Sequence, residues 1–93
     1  MQISKRNGTT EPYVADKIKR AMGAAFSSVG THLADDEADR LVAGIERAMS
    51  EAAAQNGGAV AVEDVQDLVE RALMEANHYQ ELKSYILYRE DRA

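Results

Sequence analysis

Four stretches of this chain carry apolar residues at three- and four-residue steps, and its shorter segments read as strands. The first helical stretch sets Val14, Ile18, Ala21, Met22, Ala25 and Phe26 on one face. Asp16 lies in its first turn, where a carboxylate suits the positive end of the macrodipole, and Ser27-Ser28-Val29-Gly30 ends it. A second helix opens at Ala34-Asp35-Asp36-Glu37 and carries Ala38, Leu41, Val42, Ile45, Met49 and Ala52, with Glu46, Arg47 and Glu51 on a wet face. Gln55-Asn56-Gly57-Gly58 stops it, with glycine where a C-terminal cap is expected. Ala59-Val60-Ala61-Val62 is too short and too alternating for a helix and predicts a small strand. Glu63-Asp64 starts a third helix whose buried stripe is Val65, Leu68, Val69, Ala72 and Leu73, with Gln66 projecting from the first turn on another side. The last helix is predicted from about His78 to the end of the chain, with Tyr79, Leu82, Tyr85 and Ile86 in the core and Arg89 one turn past Tyr85.

The chain begins with a different signal. Within Ser4-Lys5-Arg6-Asn7-Gly8-Thr9-Thr10-Glu11, Asn7-Gly8 favours a two-residue hairpin, because both central residues of a type I′ turn need positive φ. Such a loop pairs Arg6 with Thr9, Lys5 with Thr10, Ser4 with Glu11 and Ile3 with Pro12. Alternation then puts Lys5 on the Ile3 face, over the core, and Ser4, Arg6 and Glu11 on the opposite face. An inward lysine must snorkel out or meet an anion, since an unpaired ammonium is costly to desolvate. With the strand at 59–62 added to the hairpin, the pattern predicts an α+β, mostly α fold: a four-helix bundle capped by a small β-hairpin and third strand. The strands alone would be marginal and need the helices beneath them.

Composition narrows the function. Ninety-three residues without repeat or linker predict one domain, 1–93, with a single modest core and no cleft between subdomains. A net charge of −5 disfavours general nucleic-acid binding, although a local basic spot can still hold a small anion. The absence of Cys removes disulfides, zinc–thiolate sites and thiol nucleophiles. His32 and His78 are far apart, lack metal-ligand spacing and are expected to be surface or capping residues. There is no phosphate loop of the Gly-x-x-x-x-Gly-Lys-Ser/Thr type and no base–nucleophile constellation, which argues against a kinase or ATPase. No apolar run approaches membrane-spanning length and no signal peptide is visible, so a cytoplasmic protein without membrane contact is expected.

The chemistry therefore concentrates at one end of the bundle. The first and third helices each begin just after a strand, so their N-termini should lie near the basic hairpin, and Lys17 lies in the turn closest to it. Helix N-termini and lysines together suit a phosphate.

The motifs Lys5-Arg6-Asn7-Gly8-x-x-Glu11, Asp16-Lys17-Ile18, Val62-Glu63-Asp64-Val65-Gln66-Asp67-Leu68-Val69-Glu70 and Tyr85-Ile86-Leu87-Tyr88-Arg89, in that order, resemble the ATP-cone. This is the N-terminal allosteric activity domain of many ribonucleotide reductases, and the resemblance covers essentially the whole chain. It implies a four-helix bundle capped by a mixed sheet, binding ATP or dATP with Mg²⁺ carried by the nucleotide. It also implies an overall-activity switch: ATP favours active enzyme and dATP favours inactive oligomers, through contact with the catalytic body or small subunit. On the family pattern, Lys5 and Arg6 match a phosphate-contacting pair and Glu11 a carboxylate near the adenine amino group. Val14 matches a position beside the base, Lys17 and Ile18 positions at the nucleotide, and Gln66 a position close to the sugar and phosphates. Val62 stands where some relatives have a hydroxyl, and Arg89 lies near a phosphate cation of others, followed by Glu90 where some carry another base. No catalytic residue and no metal ligand from the protein's own side chains is expected, because the family's radical chemistry uses cysteines in a much larger body. The chain is accordingly expected to be a separately expressed N-terminal domain, with a standalone regulatory protein as the alternative. The alternatives are a small helical protein-interaction module and the ATP-cone of a nucleotide-responsive transcriptional regulator, the latter disfavoured by the lack of cysteines for a zinc ribbon.

Overall fold

A computed structural model of the chain describes residues 1–91. Its elements are β1 (Gln2–Ser4), β2 (Thr10–Pro12), α1 (Ala15–Ser28), α2 (Asp35–Gln55), β3 (Ala59–Ala61), α3 (Val62–Glu75) and α4 (Tyr79–Asp91). The expected continuation of the last helix to the end of the chain falls on Arg92 and Ala93, which lie outside the described residues. The three strands form a mixed sheet in the order β2-β1-β3, with β1 antiparallel to β2 and parallel to β3. Helix α1 packs on α4, α2 on α3, and α3 on α4, so the expected capped four-helix bundle is what forms.

Each helix is bounded by local chemistry. Acidic residues open α1, α2 and α3, facing the positive ends of their dipoles. Both α1 and α3 end with a left-handed residue that turns back two N–H groups onto the last carbonyls. At α1 this is Gly30 (φ 79°), with Thr31 N donating to Phe26 O; at α3 it is Asn77 (φ 64°), with His78 N donating to Leu73 O. The buried side chains form one cluster, in which Met22, Met49, Leu73, Val60 and Val69 are essentially inaccessible to solvent. Ile3 and Val60, side by side on β1 and β3, contribute the sheet's share of it.

Four expectations are corrected. The hairpin loop holds three residues: Lys5 N donates to Thr9 O at 2.8 Å and Gly8 N to Lys5 O at 3.1 Å, so the register is Ile3↔Glu11 and Ser4↔Thr10. Only Gly8 (φ 85°) takes positive φ, while the Asn7 side chain accepts hydrogen bonds from the N–H and hydroxyl of Thr9. One step of register reverses every β2 side chain, so Glu11 shares the face of Ile3, not that of Ser4 and Arg6. Val62 is the first residue of α3 and not the end of a strand, and Val14 precedes α1 and is exposed. Tyr79 is exposed as well: α4 turns Glu81, Leu82 and Tyr85 inward, and two residues from Glu81 is the far side of a helix. The Tyr79 hydroxyl instead donates to Asn77 Oδ1 at 2.9 Å.

Candidate functional site

Where the sheet meets the bundle, β2 and the segment after it, α1, α3 and α4 enclose a pocket of about 200 Å³. Its walls are mainly apolar: Val14, Ile18 and Ala21 from the α1 side, Val62, Val65 and Val69 from α3, and Tyr85 and Tyr88 from α4. Three polar side chains enter it, those of Glu11, Lys17 and Gln66. The Gln66 Oε1 atom is buried and has no hydrogen-bond partner among the described residues. A buried acceptor left unpaired costs about 1–3 kcal/mol, which a donor supplied by water or by a molecule in the pocket would relieve. Burial pushes the Tyr85 hydroxyl up to about 12, more than the nearby Arg89 charge lowers it, so the phenol stays neutral at ordinary pH.

The charged groups are arranged around the mouth. Glu11, turned to the Ile3 face by the hairpin register, accepts from Lys5 Nζ and Lys17 Nζ, each at 3.4 Å. Lys5, expected to turn inward over the core, instead follows β1 with its side chain exposed, and finds its anion on the neighbouring strand. Partial desolvation pushes the Glu11 carboxyl up, but the hydrogen bonds and charges of Lys5 and Lys17 outweigh it and hold the group below the usual carboxylate range. Arg6 Nε donates to Glu63 Oε1 at 2.6 Å, joining the hairpin tip to the first turn of α3. Arg89 is the most enclosed cation: it donates to Asp67 at 2.7 Å, to Glu70 at 2.6 Å and to the Glu63 carbonyl at 3.3 Å. Those carboxylates raise its already high pKa further. Side-chain exposure separates the two kinds of cation: 46% for Lys5, 53% for Arg6 and 57% for Lys17, against 19% for Arg89.

The residues singled out from the sequence converge here. Glu11, Val14, Lys17, Ile18, Val62 and Gln66 line the pocket, and Lys5 joins it through Glu11. Arg6 and Arg89 line an adjoining outer cleft of about 320 Å³, together with Glu70, Ile86 and Glu90. Tyr13, Ala21, Val65, Val69 and Tyr88 also line the pocket although no sequence pattern singles them out as site residues, and Tyr85, expected in the core, borders it as well. Only the Tyr85 and Tyr88 pair carried a signal, since two tyrosines three apart on one helix cover adjacent surface. Each cation is also already paired with a carboxylate, which no spacing in the sequence announces. Among the described residues no group of three or more His, Cys, Asp or Glu is placed to hold a metal ion. Nor is any helix among them long and apolar enough to cross a membrane.

Comparison with known proteins gives a consistent answer. The ATP cone domain model matches residues 1–93. The chain is 45% identical over 99% of its length to the ribonucleoside-diphosphate reductase subunit alpha of Treponema pallidum (strain Nichols), covering 11% of that protein. It is 32% identical over its full length to the protein of the same name from Chlamydia muridarum, covering 10% of it. It thus spans about a tenth of the length of these curated relatives.

Proposed function

The chain belongs to the ATP-cone family, and from this premise we propose that it is the adenine-nucleotide-binding regulatory domain of a ribonucleotide reductase. The observation that carries the reading is the unpaired Gln66 carbonyl, buried at an apolar pocket that the exposed Lys17 also lines and that Lys5 joins through Glu11. The donor set fits the ligand. A cavity of about 200 Å³ is smaller than the roughly 300–1,000 Å³ usual for small-molecule sites, so it takes the base and sugar and leaves the phosphates at its mouth. There Lys5, Arg6 and Lys17 are in reach, while the tightly held Arg89 keeps the first turns of α3 in place.

Binding is then an exchange of anions. Exposed ion pairs contribute only about 0–1 kcal/mol each, so the phosphates take the lysines from Glu11, and Arg6 from Glu63, at little cost. Glu11, released from Lys5 and Lys17 at the pocket wall, accepts a hydrogen bond from the exocyclic amine of adenine, which guanine cannot supply at that position. Gln66 accepts from a sugar hydroxyl. Mg²⁺ enters with the nucleotide and shares the phosphate charge. No bond is made or broken: ATP and dATP act by fitting two arrangements of the domain differently, and so bias its docking on the catalytic body or small subunit and the oligomer that results.

Calorimetric titration of the chain with ATP, dATP and GTP, followed by a phosphate-release assay, tests this. Saturable adenine-selective binding without turnover supports the regulatory reading. Absence of binding, indifference to the base, or steady phosphate release overturns it.

A further inference from the structure

On another face of α3 from the pocket, which takes Val62, Val65, Gln66 and Val69, helices α2 and α3 leave a groove of about 540 Å³ between them. Its floor is made of small or apolar residues, among them Gly44 and Ala48 of α2 and Leu68 and Ala72 of α3. Its rim carries Arg40, Arg47 and Arg71 against the single carboxylate of Glu75. Arg40 makes one long contact, 3.4 Å, to the exposed Asp36. Among the described residues neither Arg47 nor Arg71 has a hydrogen-bond or ion-pair partner. This is a local excess of positive charge on a chain of net charge −5, and it belongs to no part of the nucleotide site.

We propose that the α2–α3 groove is a docking surface for an acidic amphipathic helix from a partner protein. The groove follows two helices, whose backbone N–H and C=O groups are already spent within them, so it offers an incoming chain no ladder of main-chain hydrogen bonds. A partner must satisfy its own backbone, as a helix does. Gly44, which has no side chain and is bordered by the Arg47 guanidinium, and the small Ala48 and Ala72 let a third helix approach closely and insert apolar anchors, while the guanidiniums meet its carboxylates in forked geometry. Arginine around an apolar floor is also the composition that recurs at protein interfaces, where it carries much of the binding energy.

The test uses the ¹⁵N-labelled chain and a synthetic amphipathic peptide with a leucine stripe flanked by glutamates; the control peptide has lysines in place of the glutamates. The acidic peptide should shift the amide signals of Gly44, Ala48 and Ala72, with an affinity that falls as salt is raised. Arg47→Glu combined with Arg71→Glu, both distant from the nucleotide pocket, should weaken it by at least about tenfold, and Glu75→Lys should tighten it. Calorimetric binding of ATP should be unchanged in these variants, so a failure here is separable from a failure of the nucleotide reading. The proposal is overturned by equal shifts with the lysine peptide, by no shift at millimolar peptide, or by the same shifts with inorganic phosphate alone. Self-association of the wild-type chain that the double variant abolishes would also overturn it, by making a second copy the occupant.

Discussion

Gln66 and Lys5 separate what a single side chain does for binding from what it does for folding. The Gln66 carbonyl is buried and unpaired, a penalty in the protein alone that a ligand donor removes. Gln66→Leu should therefore stabilise the nucleotide-free chain by about 1–3 kcal/mol and, at the same time, weaken ATP binding. Thermal unfolding and titration measured side by side check the opposite signs; a loss in both would mean that the amide supports the fold. Lys5 is about half-exposed and tied only to Glu11. Lys5→Ala should leave the melting temperature nearly unchanged while lowering triphosphate affinity about ten- to a hundred-fold, the worth of a charged hydrogen bond at about 1.5–3 kcal/mol. Unchanged affinity with a lowered melting temperature would make this lysine structural. The chemical types at these positions were legible from the chain through the resemblance. Their present partners were not, because Arg6 and Glu63 are 57 residues apart and only folding brings them to 2.6 Å.

At the scale of elements, the helices were legible because a period of 3.6 repeated over three or more turns leaves little choice of buried face. The hairpin was not. Asn-Gly is compatible with a two-residue loop or with the last two positions of a three-residue loop, and the alternatives differ by one step of register. The step that occurs turns Glu11 toward the pocket and puts it between two lysines, so the turn chemistry decides the electrostatics of the site. Gly8→Ala isolates the turn. A Cβ there meets nothing within 4 Å, yet the residue sits at φ 85°, so the substitution should cost about 1–2 kcal/mol through backbone strain alone. Chemical denaturation would show it, and an unchanged midpoint would mean that residue 8 does not hold positive φ in solution, against either form of the loop. The last helix misled for another reason: its inward residues are Glu81, Leu82, Tyr85 and Arg89, a mixture of apolar, charged and aromatic side chains that gives no clean stripe. Arg89 binds this helix to α3 through Asp67, Glu70 and the Glu63 carbonyl. Arg89→Ala should thus lower stability by about 1.5–3 kcal/mol, in contrast to Lys5→Ala. A melting temperature equal to that of the parent chain would instead assign Arg89 to the ligand.

For the molecule as a whole, two carboxylates far apart in the fold tie stability to acidity. Glu81 is buried, and its carboxyl is held below the ordinary 4.5 by the hydrogen bond from the Thr31 hydroxyl at 2.7 Å, with desolvation opposing and its own N–H and the His78 charge assisting. Glu11 is held low by its two lysines. A carboxyl whose folded pKa lies below its unfolded value binds its proton more readily in the unfolded chain. Its stabilisation is therefore complete above the unfolded value of about 4.5 and is lost as the pH falls through the folded value. Unfolding temperature should accordingly be level from neutrality to about pH 5 and decline below that. Glu81→Gln keeps an acceptor for Thr31 but removes the titration, so it should flatten part of the decline, while Lys5→Ala flattens a smaller part by removing one of the two lysines that hold Glu11. Glu81 lies in the first turn of α4 and bonds Thr31 of the α1–α2 connection, whereas Glu11 lines the pocket that Tyr85 and Tyr88 border further along the helix. On the proposed exchange of anions, bound ATP should change the second part and not the first, because phosphates would replace Glu11 as the partner of the lysines and leave Glu81 untouched. A melting profile in which ATP left the acid slope of the parent chain unaltered would show that the nucleotide does not displace Glu11, and the exchange of anions at the pocket mouth would fall with it.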